Sequence, residues 1–164
     1  SANGGVGTAG QVLVSQGAGV SPQWATTQAS STVSISSAEI LSLFTTPVTL
    51  VAGVAGKHIV PLKVVASYTH NTTPYTIGAS NYAIVTLGTY SVPANVAMEF
   101  SGDLLTTASS GVYLNNVESV ASDRMPQYAT NGGGDALLFQ WRTTNPTLGD
   151  GTLSVTTIYT LVDA

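Results

Sequence analysis

Two long segments of this chain have the pattern of β-strands, and they differ in the polarity of their two faces. In residues 152–162, Leu153 and Val155 alternate with serine and threonine residues. This is the period of two expected of a strand with one buried face. Residues 57–70 predict a second long strand, but both of its faces are largely apolar, which predicts a central strand or a strand at an interface. Pro61 cannot donate a hydrogen bond to a sheet, so we expect a bulge or a sheet edge there.

Shorter runs of β-forming residues predict further strands at residues 48–51, 82–90, 112–117 and 136–143. Glycine, asparagine and proline favour turns, and they separate these runs at residues 71–74, 78–81, 131–134 and 145–151. One brief helix is expected to begin near Ser36, with Glu39 in its first turn, and to end before Pro47. Many short strands with almost no helix predict an all-β fold, an antiparallel β-sandwich that is jelly-roll-like.

The surface of this sandwich is expected to be nearly uncharged. Asp, Glu, Lys and Arg make up 7% of the residues, whereas a typical soluble domain has about 25%. Hydroxyl and amide side chains must therefore supply the polar surface. The basic residues are scattered along the chain, at Lys57, Lys63, Arg124 and Arg142. Binding to phosphates or to anionic lipid needs clustered basic residues, so we predict no nucleic-acid partner and no attraction to anionic lipid. The longest apolar stretches, such as residues 59–66, fall far short of the roughly 20 residues that a membrane-spanning helix needs, so we also predict no membrane insertion.

The sequence lacks the common motifs of catalysis and cofactor binding. It contains no cysteine, which excludes disulfides and thiolate zinc sites, and neither G-x-S-x-G nor H-E-x-x-H occurs. On one strand, His58 and His70 would lie roughly 40 Å apart, too far to share a metal ion within one chain, which leaves three copies of one histidine around a trimer axis as the alternative. We predict no catalytic residue, no metal site and no cofactor, and a protein that is not an enzyme. A facing pair of carboxylates, as glycoside hydrolases use, stays open as an alternative.

Residues 1–29 differ in composition from the rest of the chain, being rich in Gly, Ala and Gln. Two short strands around a glycine-rich loop predict a β-hairpin in this segment. An isolated hairpin is marginally stable in water, so this one needs contact with the main domain or with another copy of the chain. We therefore divide the chain into a hairpin segment for oligomerisation or linkage, residues 1–29, and a β-sandwich head domain, residues 30–164.

The hairpin segment also carries a specific motif. Residues 7–24 read GTAGQVLVSQGAGVSPQW and resemble a repeat of bacteriophage tail fibres and related virion proteins, roughly G-T-A-G-Q-V-L-x-S-x-G-A-G-x-x-P-x-W. The main domain is similar to a module of uncharacterised phage proteins, in residues 37–51, at Gly56 and Lys57, and in residues 149–153. These resemblances imply a homotrimeric, elongated structural protein of the virion, located outside the cell in the phage particle, on the tail or the head.

Aromatic and amide side chains near predicted loops are the candidate ligand-binding residues. Sugar rings stack on aromatic faces, while their hydroxyl groups hydrogen-bond with Asn and Asp. The residues that fit this pattern are Asn71, Tyr75, Asn81, Tyr82, Asn115, Asn116, Asp123 and Tyr128. The alternative for each tyrosine is packing within a sheet or an interface.

Three functions are compatible with these features. The first is a tail-fibre tip or receptor-binding module that attaches to host cell-surface glycan without catalysis, with three weak sites adding through avidity. The second is a head-decoration protein or fibre connector with a purely structural role and other virion proteins as partners. The third is an enzyme that cleaves surface polysaccharide, which would require the carboxylate pair described above.

Overall fold

The computed structural model describes residues 5–9, 11–26, 28–79, 81–88, 96–101, 104–116 and 134–164. These residues form ten strands and one short helix. In chain order the elements are β1 (Gln11–Val14), β2 (Gln23–Thr26), β3 (Ala29–Ile35), α1 (Ser37–Ile40), β4 (Val48–Val51), β5 (Lys57–Thr69), β6 (Ala83–Leu87), β7 (Val96–Phe100), β8 (Gly111–Asn116), β9 (Leu137–Trp141) and β10 (Thr152–Asp163).

The strands from β3 to β10 form two antiparallel sheets of four strands each. The first sheet has the order β3-β10-β5-β8, and the second has the order β4-β9-β6-β7. The pairing is nested, because β3 pairs with β10, β4 with β9, β5 with β8 and β6 with β7. A doubled chain rolled into two sheets in this way is a jelly roll. The predicted all-β, jelly-roll-like sandwich is therefore confirmed.

The core is built from alternate residues of the two sheets. In β10, Leu153 and Val155 are at most 2% exposed, and they pair with Tyr68 and Ala66 of β5, which are also buried. The second sheet contributes large aromatic side chains, among them Trp141, which is fully buried. Full burial of one large apolar side chain stabilises a fold by about 1.5–3 kcal/mol. The period of two seen in the sequence of β10 thus marks the face that lies on the core.

The outer faces of the two sheets differ. In the second sheet, the residues that alternate with the core positions are also buried: Ile84 and Thr86 are 0% exposed and Gln140 is 3% exposed. In the first sheet, Val112 and Leu114 of β8 are each 64% exposed on the outer face. The central strands β9 and β6 of the second sheet are therefore largely buried on both sides, although Thr49 and Glu99 on its edge strands are exposed, whereas the first sheet is open on its outer side.

Two local predictions are confirmed. The register between β10 and β5 shifts between Ile158 and Tyr159, which pair with Lys63 and Pro61, so the bulge expected at Pro61 is present and leaves Leu62 as the extra residue. Helix α1 has Ser36 as its N-cap in a capping box with Glu39.

Strands β3 and β7 were not among the predicted strands. β3 reads ASSTVSI, and its many serines hide a period of two that places Val33 and Ile35 towards the core. β7 reads VAMEF and is buried on both faces except at Glu99, so it has no alternation to detect. In both cases tertiary packing outweighs the local β-propensity of the residues.

The predicted hairpin is present and forms a separate sheet of β1 and β2, with Leu13 opposite Trp24. The indole Nε1 of Trp24 donates a hydrogen bond of 2.9 Å to the carbonyl oxygen of Gly5. Gly7 has a φ of 71° and lies against the same indole, where a Cβ would approach the ring to 2.8 Å. The glycine and the tryptophan of the motif thus pack on each other, while Val12 and Leu13 remain 44% and 49% exposed.

Candidate functional site

A groove lined by serine and threonine residues, and also by the apolar side chains of Ile35 and Leu153, lies at one end of the first sheet, where β3 ends, β10 begins and helix α1 starts. Its volume is about 350 Å³. Backbone register brings its walls together, since Ser34 pairs with Ser154 and Thr152 pairs with Thr69. The described residues that line the groove are Ser34, Ile35, Ser36, Glu39, Thr69, Thr152, Leu153 and Ser154.

Glu39 is the titratable side chain among these lining residues. Its Oε2 accepts hydrogen bonds from the backbone N of Ser36 at 2.8 Å and from the Ser36 hydroxyl at 2.6 Å. The Ser36 hydroxyl, followed by the Ser36 backbone, holds the pKa of Glu39 below its ordinary value. The carboxylate is therefore ionised at neutral pH and fixed in place at the edge of the groove.

The hydroxyl pattern continues from the groove along the outer face of the first sheet. Thr32 and Thr156, one row further along β3 and β10, share a hydrogen bond of 2.9 Å between their hydroxyl groups. A hydroxyl group can donate and accept, so this face can exchange hydrogen bonds with a neutral ligand that itself carries hydroxyl groups.

Asn71 belongs to a cluster beside the groove that is centred on Asp150. Oδ1 of Asp150 accepts hydrogen bonds from the backbone N of Thr72 at 3.0 Å and of Thr73 at 2.9 Å, and Oδ2 accepts from Nδ2 of Asn71 at 3.1 Å. The Thr72 hydroxyl also donates to Oδ2. The Thr72 hydroxyl and then the two backbone donors lower the pKa of Asp150 to about 2. The carboxylate thus ties the loop after β5 to the loop before β10.

Tyr75 packs in the core rather than at the surface. It is 2% exposed, and its hydroxyl donates to the carbonyl oxygen of Gly151 at 2.7 Å. Burial raises the pKa of this phenol. Gly149, with a φ of 91°, lies so close that a Cβ there would be 2.3 Å from the Tyr75 ring. Tyr75 therefore has no free face on which a sugar could stack.

Asn81 is also buried, at 2% exposed. Its Nδ2 donates to the carbonyl oxygen of Thr144 at 2.8 Å, and its Oδ1 accepts from the backbone N of Thr143 at 3.1 Å. Its amide is thus used to hold the loop after β9. The neighbouring Tyr82 is half-buried, with the guanidinium carbon of Arg142 5.5 Å from its ring centroid.

The other predicted residues do not join these in one site. Asn115 and Asn116 lie on β8, where they pair with Val64 and Lys63. Asp123 and Tyr128 lie outside the described residues. Of the eight candidates, Asn71 and Tyr75 meet the same segment, through Asp150 and Gly151, whereas Asn81 and Tyr82 lie beside the second sheet.

The sequence did not single out the groove residues, because serine and threonine occur along most of this chain. The signal that could have found them is their spacing, since Ser30, Thr32 and Ser34 alternate on β3 as Thr152, Ser154 and Thr156 do on β10. Two neighbouring strands with this pattern place these six hydroxyl groups on one face.

Within the described ranges, no group of three or more His, Asp or Glu side chains is arranged to hold a metal ion. No helix found in those ranges has the length and apolar character needed to cross a membrane. Comparison with protein-family models gave no match, and comparisons with curated proteins and with solved structures gave none either.

Proposed function

We propose that this chain is a non-enzymatic virion module of the tail-fibre type, which attaches to a glycan of the host cell surface. Its hairpin segment would join it to the fibre and assemble three copies, and its jelly roll would form the tip. The groove of serine and threonine hydroxyls, with Glu39 at its edge, is the proposed glycan site.

The observation that carries this proposal is the placement of the groove relative to the hairpin segment along β3. The chain enters β3 at Ala29, directly after the hairpin, and reaches the groove at Ser34 and Ile35. At the rise of a strand, these points lie roughly 20 Å apart. The groove is thus at the far end of the first sheet from the point where the hairpin segment joins it, as a receptor-binding tip requires.

The chemistry of the groove supports binding without cleavage. Glycoside hydrolysis uses two carboxyl groups on either side of the bond, whereas Glu39 is the single carboxylate among the described lining residues. Its hydrogen bonds with Ser36 keep it ionised and oriented as an acceptor. Hydroxyl groups around it would satisfy a sugar with several weak hydrogen bonds, and three copies would multiply that affinity.

The test is binding of the purified chain to an array of bacterial surface polysaccharides. We expect binding to at least one glycan, with no loss of polymer on incubation. The double variant Ser34→Val and Ser154→Val removes two facing hydroxyls and should weaken binding tenfold or more. Ser30→Val, on the same face of β3 but outside the groove, is the matched control. Absence of binding to every glycan and to host cells would overturn the receptor-binding role.

A purely structural role in the virion is the second candidate. It is favoured by the exposure of Val112 and Leu114 on the open face of the first sheet, because exposed apolar groups often mark protein contacts. This role predicts binding to capsid or tail preparations and none to glycan, so the same array separates the two.

A further inference from the structure

Asp150 is the only one of the five aspartates in the sequence that is followed by glycine. In such a pair the backbone nitrogen of the glycine can attack the side-chain carboxyl carbon of the aspartate, because glycine has no side chain to restrict the backbone. A C–N bond forms, the nitrogen loses its proton and the carboxyl group loses a hydroxyl, which leave together as water. The product is a succinimide ring. Addition of water reopens this ring at either carbonyl, which restores aspartate or leaves isoaspartate.

Packing at the end of the core requires the glycine of this reactive pair. Gly151 is buried, and a Cβ there would lie 2.5 Å from Cε2 of Tyr68 and 2.7 Å from the carbonyl oxygen of Thr69. The carbonyl oxygen of Gly151 also accepts the hydrogen bond from the Tyr75 hydroxyl at 2.7 Å. A larger residue would have to displace these neighbours, so the fold places a glycine directly after the aspartate that ties two loops together.

The folded protein holds the Asp150 carboxyl group in its less reactive form. Both of its oxygens accept hydrogen bonds, and all of the donors belong to Asn71, Thr72 and Thr73 in the loop after β5. The Thr72 hydroxyl and then the backbone donors lower the pKa of this carboxyl to about 2, so it is ionised at neutral pH. Ring closure expels one carboxyl oxygen, which leaves more readily from the protonated acid. It would also break the hydrogen bonds of that oxygen.

Isoaspartate does not fit the space that the backbone of Asp150 occupies. It routes the main chain through the former side chain and so adds one carbon to the backbone. The residues on both sides are fixed, because Gly149 lies against the Tyr75 ring and Gly151 lies against Tyr68. A longer backbone between these two contacts would displace the start of β10.

We propose that Asp150 and Gly151 form a covalent modification site whose reaction is controlled by the fold. While residues 71–73 hold the carboxylate, the pair persists. When this loop opens, Asp150 converts to the succinimide and then to isoaspartate, and the modified chain does not restore the start of β10. Each opening of the loop thus exposes the chain to a change that folding does not reverse. The inference is independent of the proposed function, because neither Asp150 nor Gly151 lines the groove.

The test is the rate at which isoaspartate accumulates at position 150 of the whole chain at neutral pH. Chromatography and mass spectrometry of digests separate the isoaspartyl peptide from its isomer of equal mass, and detect the succinimide peptide as lighter by one water molecule. We expect the folded protein to react at least tenfold more slowly than the same chain unfolded in guanidinium chloride. Thr72→Val removes a hydroxyl donor to the carboxylate and should raise the rate in the folded state at least threefold. Thr73→Val is the matched control, because Thr73 donates from its backbone, and its rate should not change.

Each outcome decides the inference. Equal rates in the folded and unfolded chain would overturn control by the fold, and so would a Thr72→Val variant that reacts no faster than the unchanged protein. An equal rise in both valine variants would overturn the role of the carboxylate donors. If Thr72→Val fails to fold, Asn71→Ala replaces it, because it also removes a donor to Oδ2, and the same rise is expected. The purified isoaspartyl chain should have a lower melting temperature than the unmodified chain, and an equal one would overturn the block on refolding.

Discussion

The two sheets of the jelly roll share one core but differ in how far the side chains on their outer faces are exposed. The second sheet buries the outward side chains of Ile84, Thr86 and Gln140, whereas the first sheet exposes Val112 and Leu114. One sheet therefore contributes to stability from both sides. The other contributes from one side and presents its second side for binding, as antiparallel sheets commonly do. The outer residues of the second sheet therefore contribute to folding, whereas those of the first sheet are free to serve function.

The largest expected effect is at matched outer positions of the two sheets. Ile84→Ala should lower the free energy of unfolding by about 2–5 kcal/mol, because it leaves a cavity beneath a fully buried side chain. Leu114→Ala, measured at a concentration where the chain is monomeric, should change it by about 0.5 kcal/mol or less. Urea unfolding of both variants checks this, and equal losses would show that the two faces do not differ in burial.

A smaller effect is expected at two fully buried threonines, one in each sheet. Thr86 accepts from Nε2 of Gln140 at 2.6 Å and donates to the carbonyl oxygen of Gly88 at 2.9 Å. The Thr157 hydroxyl has no hydrogen-bond partner within the described structure. Thr86→Val should cost about 1–3 kcal/mol because it leaves buried groups unpaired, whereas Thr157→Val should stabilise by about 1 kcal/mol.

Thermal unfolding of the two valine variants provides the measurement. A rise in the melting temperature for Thr157→Val with a fall for Thr86→Val would sharpen the contrast between the sheets. A fall for both would indicate that a water molecule satisfies Thr157, and the first sheet would then be as well paired internally as the second.

The smallest effect is expected at the two ends of the β5–β10 pair in the first sheet, and it depends on pH. Asp150 has a pKa lowered from 3.8 to about 2 by donors that are formed only in the folded state. Its stabilising contribution is complete above the ordinary value and is lost as the pH falls through about 2. Asp150→Asn should therefore lower the melting temperature at pH 7, with a difference from the unchanged protein that narrows between pH 4 and pH 2.

Asp163→Asn is the control at the opposite end of the pair. Asp163 is an exposed carboxylate that forms an ion pair with Lys57, and such pairs contribute little to stability. Its replacement should shift the melting temperature less than Asp150→Asn does. An equal shift would mean that the loop cluster around Asp150 adds nothing beyond a surface ion pair.

The fold was predictable where a strand carries a run of β-forming residues or a clear alternation, and an exposed face alone was not enough, since β3 has one and was not predicted. The sequence pattern predicts β10 and β5, and Pro61 predicts the bulge in β5. Ser36 and Glu39 together predict the start of the helix. β7 has neither an alternation nor a run of β-branched residues, whereas β6, which is also buried on both faces, was predicted from Ile84, Val85 and Thr86. The partner of each strand was not predictable either, since pairing is decided by contacts between residues far apart in the sequence.

The candidate site was less predictable than the fold. Tyr75 and Asn81 have the residue types of a sugar site, but the structure uses them to close loops, at 2% exposure each. The type of a side chain does not reveal which way it faces when it lies in a turn. The groove forms only when Ser34 and Ser154 meet, and that contact joins strands at opposite ends of the chain.

The nested pairing of the strands also has a consequence for how this chain folds during synthesis. β10 lies between β3 and β5 in the first sheet. β3, the earliest strand of the jelly roll in the chain, therefore has no partner in this sheet until β10, the latest described strand, has been synthesised. Such separations in sequence slow folding, because the entropy of closing a long loop is lost before the contacts form. The nascent chain therefore holds an incomplete first sheet until β10 has left the ribosome, and its low charge makes that interval the one in which aggregation competes with folding.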